Sequence, residues 1–274
     1  MPNGIAQPAS LSGLTLVDPQ NLLVIEETSN SVLLVGLTAP VSVTSFAGMP
    51  DTTGGFADFP PGLIRFDFTG PTQIVASPTG EVYVADPGNH AIRQLLVGTL
   101  VQASTVAGSG SPFFLDGALT STGFDTPTGL AVTCGGELVV TELGVSASGG
   151  HRVRSLGIGD LTFLGTFSGT SATLAGDGMA ATSDGLVEAA STAAPMAPVT
   201  TESALFWIDS ATGILRRHDF TSGLNDCPLF LDCAAAVTAG GTFTPGGVFS
   251  LAVGSSGTLY VLDGAAGTIS SLAL

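Results

Sequence analysis

The sequence predicts an all-β protein, a β-propeller of four-stranded antiparallel blades, five in number with six as the alternative. No stretch shows sustained amphipathic helical periodicity, and 38 glycines with 16 prolines punctuate the chain too often for long helices. One β unit also recurs at a period close to that of a propeller blade.

The clearest part of that unit is an apolar strand ending in an acid, a turn of small or polar residues, and a second strand. It appears as "NLLVIEETSNSVLLVGL" (21–37), "EVYVADPGNHAIRQL" (81–95), "ELVVTELGVSASGGHRVRSL" (137–156), "ALFWIDSATGILRRH" (204–218) and "TLYVLDGAAGTISSL" (258–272). The acids are Glu26, Asp86, Glu142, Asp209 and Asp263, separated by 60, 56, 67 and 54 residues. Upstream of each lies a short strand, at 13–18, 72–77, 129–134, 196–201 and 249–254. Downstream lies an outer strand ending in small residues, at 41–48, 101–108, 161–169 and 234–241. Four strands per unit make a meander whose inner strands are apolar on both faces, because neighbouring blades cover them. The blades then occupy about residues 10–66, 67–124, 125–190, 191–245 and 246–274 of a single domain. The fifth unit stops after its third strand, so ring closure requires the N-terminal residues, with "NGIAQ" (3–7) as the candidate fourth strand.

Composition narrows the partners. Six basic residues face 22 acidic ones for a formal net charge of −16, and all six are arginines: Arg65, Arg93, Arg152, Arg154, Arg216 and Arg217. Without lysine there is neither a Schiff-base amine nor the lysine of a phosphate-binding loop. An acidic chain also lacks the basic surface that releases counterions from nucleic acid or binds anionic membranes. The partners that remain are proteins, sugars and small molecules, with cationic ones favoured by charge, and a monomer is expected. Mean hydropathy is positive, yet the apolar runs are far shorter than the roughly 20 residues of a spanning helix, so no membrane insertion is expected. "MPNGIAQPAS" shows neither the charged start nor the apolar segment of a secretory leader. The chain reads as a mature or excised domain placed outside the cell or in the periplasm, with the cytoplasm as the alternative. Cys227 and Cys233 frame a loop that a local disulfide would close, whereas Cys134 reads as a small buried side chain.

The second unit resembles the NHL-repeat β-propeller family. "PTQIVASPTGEVYVADPGNHAIRQL" follows that family's proline-led strand, Gly turn, "YVAD", Asn-His and basic strand, and "STVAGSGSPFFLDGALTSTGFDTPTGLAV" (104–132) resembles the blade connection of bacterial members. The third unit keeps "GGHRVRSL", while the other three keep the shape and lose the letters. The resemblance implies a fold and leaves the activity open, since family members include enzymes, sensors and adaptors.

Candidate sites are few. A residue repeated in every blade has a task every blade shares, so Asp86 and its equivalents are expected to accept backbone N–H groups in the turn, with Asn89 and His90 as part of it. His90 and His151 occupy equivalent positions while His218 ends its strand, so the three are not expected to converge on a metal. Trp207 reads as core. Arg152, Arg154, Arg216 and Arg217 read as solvated or paired with nearby acids. The long connections carry Asp51, Asp58, Asp67, Asp125 and Glu188, together with Asp116, Asp177 and Asp184. The last three are the candidate metal ligands. Ca²⁺ is the cofactor such oxygen donors would take, although none is required, since no stretch alternates acids as a dedicated calcium loop does. No G-x-S-x-G elbow and no G-x-G-x-x-G after a strand is present. The sequence therefore points to a non-enzymatic binding module offering its loop-rich face to a ligand. The alternative is a metal-dependent lyase or lactone hydrolase at the mouth of a central channel.

Overall fold

The computed structural model describes residues 10–50, 53–58, 62–96, 101–145, 149–161, 167–221, 224–226, 245, 247, 249–254 and 257–274. Five antiparallel sheets follow one another along the chain, the all-β, five-bladed propeller fold that the repeats predict. Blade one is β1 (Leu11–Asp18), β2 (Asn21–Glu26), β3 (Ser31–Gly36) and β4 (Ser42–Ala47). Blade two is β5 (Ile74–Ala76), β6 (Val82–Asp86), β7 (Ala91–Leu96) and β8 (Gln102–Gly108). Blade three begins with the short β9 (Gly117–Ala118), then β10 (Pro127–Val132), β11 (Leu138–Glu142), β12 (Arg152–Leu161) and β13 (Phe167–Ala175), in sheet order β10-β11-β12-β13-β9. Blade four repeats that plan with β14 (Gly185–Leu186), β15 (Pro195–Thr200), β16 (Ala204–Asp209), β17 (Ile214–Asp219) and β18 (Leu224–Asp226), in sheet order β14-β18-β17-β16-β15. Blade five comprises β19 (Phe249–Val253), β20 (Thr258–Asp263) and β21 (Thr268–Ala273).

The sequence misplaced one outer strand. In blade three β12 continues to Leu161 and the outer strand is β13, starting at Phe167, instead of 161–169. The reason is visible at the strand ends. Gly48, Gly108 and Gly176 close the outer strands of blades one to three with φ of +91°, +104° and +102°, each pressed against the carbonyl of Asn30, His90 or His151. Only glycine fits a positive φ at that separation, so "AG" at 175–176 marks the end of the strand. The proposed fourth strand at 3–7, the outer strand at 234–241, and both Cys227 and Cys233 lie outside the described residues. Cys134 is exposed in the turn after β10, not buried, because the hairpin's own backbone bonds between Thr133, Gly136 and Glu137 close the turn and leave its tip to solvent.

The chain divides into two compact units, one running to Leu130 and taking in Ile158–Thr170, the other holding Ala131–Gly157 and Ser171–Leu274. Among the described residues of the first unit, a core joins blades one and two: Leu23, Ile25 and Val32 meet Ile74, Val82 and Val84, with Phe66 and Phe68 from the connection. The described residues of the second unit hold one cluster of Phe206, Ile208 and Leu215 with Phe249, Leu251 and Val261, and another of Val139, Val153, Leu205 and Trp207. The expected burial of both faces fails on β1, where Leu11, Leu14 and Leu16 are exposed while Gly13 and Thr15 face β5.

Gly13 sets how closely β1 approaches the second blade. Its N–H donates to the Thr72 carbonyl at 2.8 Å, and a Cβ there would lie 2.6–2.8 Å from backbone atoms of Thr72, Gln73 and Ile74. Backbone cannot rotate away as a side chain can. Gly13→Ala is expected to cost about 1–3 kcal/mol through forced separation of the strands, read as a lower urea midpoint with an unchanged m-value.

Candidate functional site

In the second strand of each blade the final acid sits across from the first residue of the third strand: Asp86 opposite Ala91, Glu142 opposite Arg152, Asp209 opposite Ile214. Two residues along, on the same face, lie Arg93, Arg154 and Arg216. Acid and arginine are thus diagonal cross-strand neighbours, close enough for a long side chain to bridge.

All three arginines are buried, Arg93 and Arg154 with side chains at 0% and Arg216 at 2% exposure. Of the two expected alternatives, solvation or pairing with nearby acids, the structure shows pairing for Arg154, with Glu142, and for Arg216, with Asp184. Burial is tolerated because each guanidinium is paired with a carboxylate and donates to further acceptors, although the Nε of Arg216 has no partner among the described residues. Arg93 Nη1 donates to Asp86 Oδ2 at 2.8 Å and to the Arg65 carbonyl at 3.1 Å. Its Nε and Nη2 donate to Asp58 Oδ1, and Nη2 also to the Ala57 carbonyl. Phe56 and Phe66 stack on its faces, with ring centroids 5.0 and 5.2 Å from Cζ. Arg154 donates to Glu142 Oε1 and Ser171 Oγ, both at 3.1 Å. Arg216 donates to the Ser183 carbonyl at 2.8 Å and pairs with Asp184 at 3.2 Å. Arg152, 8% exposed, donates to the Asp177 carbonyl. Arg93, Arg152 and Arg216 therefore each tie a blade to a neighbouring connection, while the bonds of Arg154 to Glu142 and Ser171 join strands of its own blade.

The blade acids have the structural task predicted for them, though not always the predicted partner. Asp263 accepts from the turn N–H groups of Ala265 and Ala266, both at 3.0 Å, and Glu26 from that of Ser29 at 2.8 Å. Asp86 instead accepts from the N–H of Asp67, on the incoming connection, and from Asn89 Nδ2. Burial raises the Asp86 carboxyl to about 6 despite Arg93, and burial raises Asp209 to about 6 despite Thr192 and Arg216. Burial would raise Glu26 as well, but the hydrogen bonds from Ser29 leave it below the ordinary value.

The histidines also serve the joints. His90 and His151 adopt left-handed backbone, φ +48° and +57°, as Asn30 does at +50° in blade one. Asn30 Oδ1 accepts the N–H of Phe68 at 2.7 Å, His90 Nδ1 that of Thr126 at 3.1 Å, and His151 Nδ1 that of Ala194 at 3.0 Å. In each case the donor belongs to the segment leading into the next blade. His218 is buried, with Phe220 packed edge-on at 5.6 Å. The repeated arginine escaped sequence reading, yet it had a signal: Asp86 and Asp209 are each followed seven residues later by arginine, as Arg93 and Arg216.

The candidate metal ligands are engaged in local bonds. Asp177 accepts from the N–H of Met179 and from Ser191 Oγ, and Asp184 pairs with Arg216. Asp116 is partly buried on the connection into blade three. Among the described residues no three His, Cys, Asp or Glu side chains form a group able to hold a metal ion. No helix among them is long and apolar enough to cross a membrane. Beside exposed acids such as Asp177 and Asp184, the connections leave large apolar side chains open: Phe56, Leu63 and Leu115 in the first unit, and Met179, Leu186 and Val187 in the second.

No protein-family profile matches the chain, and no curated protein matches it. Solved structures do. A catalytically inactive virginiamycin B lyase from Staphylococcus aureus, determined with quinupristin, superposes with a TM-score of 0.53 at 11% identity over 99% of this chain and 68% of its own. A protein from Lactobacillus plantarum gives 0.51 at 14% over 98% and 71%. An auxiliary nutrient binding protein from Bacteroides thetaiotaomicron gives 0.53 at 17% over 72% of this chain, which spans 44% of that protein's length. These neighbours are β-propeller proteins that include both binding proteins and an enzyme, and at such identities the likeness is one of fold.

Proposed function

We propose that this chain is a non-enzymatic propeller of the NHL type, working outside the cytoplasm, in the extracellular space or the periplasm, as a binding module whose loop face receives a protein, a sugar or another small ligand. The observation that supports this reading is the commitment of three buried arginines and two histidines to the scaffold. Arg93, Arg154 and Arg216 are spent on Asp58, Asp86, Glu142 and Asp184, and the imidazole Nδ1 atoms of His90 and His151 on backbone N–H groups. A general base or nucleophile needs a group able to reach a substrate proton or carbonyl. Exposed apolar side chains beside acids suit recognition instead. The nutrient binding neighbour lends the reading its precedent in fold.

Native mass spectrometry of the purified chain with a panel of neutral and cationic oligosaccharides and peptides, before and after chelator, tests the proposal. The expected result is a ligand adduct that survives chelation with its mass unchanged, and that weakens at least about tenfold when Met179 is replaced by serine. A stoichiometric ion removed by chelator, with ligand converted to a product of different mass while the ion is present, would overturn it in favour of a metal-dependent lyase or lactone hydrolase. Asp116, Asp177 and Asp184 would then be the first positions to substitute.

A further inference from the structure

The clasp at the head of the third strand is built three times with one geometry and two chemistries. In blade one the acceptor is an amide oxygen, Asn30 Oδ1, which accepts at any pH; in blade two it is His90 Nδ1, which accepts only while the imidazole is neutral. We propose that His90 is an acid-releasable clasp, holding the connection into β10 on blade two at neutral pH and letting it go when the imidazole takes up a proton.

The geometry gives the release its force. With Nδ1 accepting, the neutral ring carries its proton on Nε2, and a second proton must go to Nδ1, where it meets the N–H of Thr126 head-on. Thr126 itself is held in left-handed backbone, φ +58°, immediately before Pro127. Neither a β-branched residue nor one preceding proline favours that region, so the bond from His90 holds a strained residue in place. His151 repeats the bond to Ala194, which also has positive φ, at +53°, and precedes Pro195. The charged groups around His90 are Asp125, on the segment leading into β10, and Asp67, on the connection into β5. Both favour the imidazolium, but burial outweighs them and keeps the ring's pKa below its ordinary value. A folded value below the unfolded one means that the unfolded chain binds the extra proton first. The clasp's contribution is therefore complete above the unfolded value, about 6.5, and is lost as pH falls through the lower folded value. When it opens, the N–H of Thr126 loses its acceptor at the point where the connection enters β10.

Amide hydrogen exchange, expressed as protection factors so that the intrinsic pH dependence cancels, tests the clasp in the intact chain. On going from pH 7.5 to 5, Thr126 is expected to lose about tenfold in protection, the equivalent of one hydrogen bond, while Phe68, held by Asn30, keeps its own. His90→Asn places the blade-one chemistry in blade two and is expected to abolish the loss at Thr126. Asn30→His is expected to transfer an acid-induced loss to Phe68. The Asp86 carboxyl, which titrates near 6, is common to wild type and His90→Asn and drops out of their comparison. Equal pH profiles at Thr126 in wild type and H90N, or a Phe68 profile in folded N30H that stays flat, would overturn the proposal.

Discussion

Replacing Arg93 by methionine is expected to remove about 3–5 kcal/mol of stability at pH 8, the cost of breaking a buried ion pair from one side. The reason is less the lost attraction than what remains. Asp86, at 0% exposure, keeps a carboxylate in the core with Asn89 and the Asp67 N–H as its remaining donors. Asp58 loses both bonds from the guanidinium, so the connection it belongs to loses its anchor on β7. The sign of the pH effect follows from Asp86. Its folded value already lies near 6, above the ordinary carboxyl value, so its charged form is the disfavoured one and stability is lost as pH rises through that value. Without Arg93 the value rises further, and the deficit of Arg93→Met is expected to shrink from pH 8 to pH 5 as Asp86 takes up a proton. Urea unfolding at the two pH values measures this, and Asp86→Asn added to Arg93→Met is expected to recover part of the loss at pH 8. A deficit below 1 kcal/mol, equal at both pH values, would show that the pair is solvated.

Trp207→Ala is the second large effect, about 3–5 kcal/mol. Trp207 is fully buried among Val139, Val153 and Leu205, and its Nε1 donates to Asp209 Oδ1 at 3.0 Å and Thr192 Oγ1 at 3.2 Å. Truncation opens a cavity and removes a donor from a buried carboxylate in one step. Trp207→Phe separates the two terms: most of the ring volume stays, the donor goes, and the expected cost falls to about 1–3 kcal/mol. Asp209 has little in reserve, because its Oδ2 has no hydrogen-bond partner among the described residues and Arg216 Nη1 stands 3.8 Å away. Circular dichroism is the appropriate probe, since the substitution removes the chain's one tryptophan. Equal losses for the alanine and phenylalanine variants would assign the whole effect to the hydrogen bonds and none to packing.

Much of this protein was legible before any coordinates. Period and strand pattern follow from local chemistry: an apolar strand, an acid and a tight turn recur because each blade must bury the same faces and close the same hairpin. The five blade acids and the core position of Trp207 were readable for that reason, and so was the kinship of His90 with His151. Even the misplaced outer strand of blade three carried its marker, the "AG" at 175–176 whose counterparts end β4 and β8. The destinations of the long side chains were another matter. Arg154 and Arg216 read as solvated or paired with nearby acids, and only the fold shows them enclosed together with Arg93, because the groups that make burial tolerable come from far along the chain: Asp58 lies 35 residues before Arg93, and Ser171 lies 17 after Arg154. The histidine clasps were hidden likewise, since their donors are backbone N–H groups 36 and 43 residues away that leave no mark in the sequence. Local periodicity is written in neighbouring residues, so the sequence alone determined the blades. The joints between blades depend on which distant backbone groups remain unpaired at each turn, and only the tertiary structure decides that.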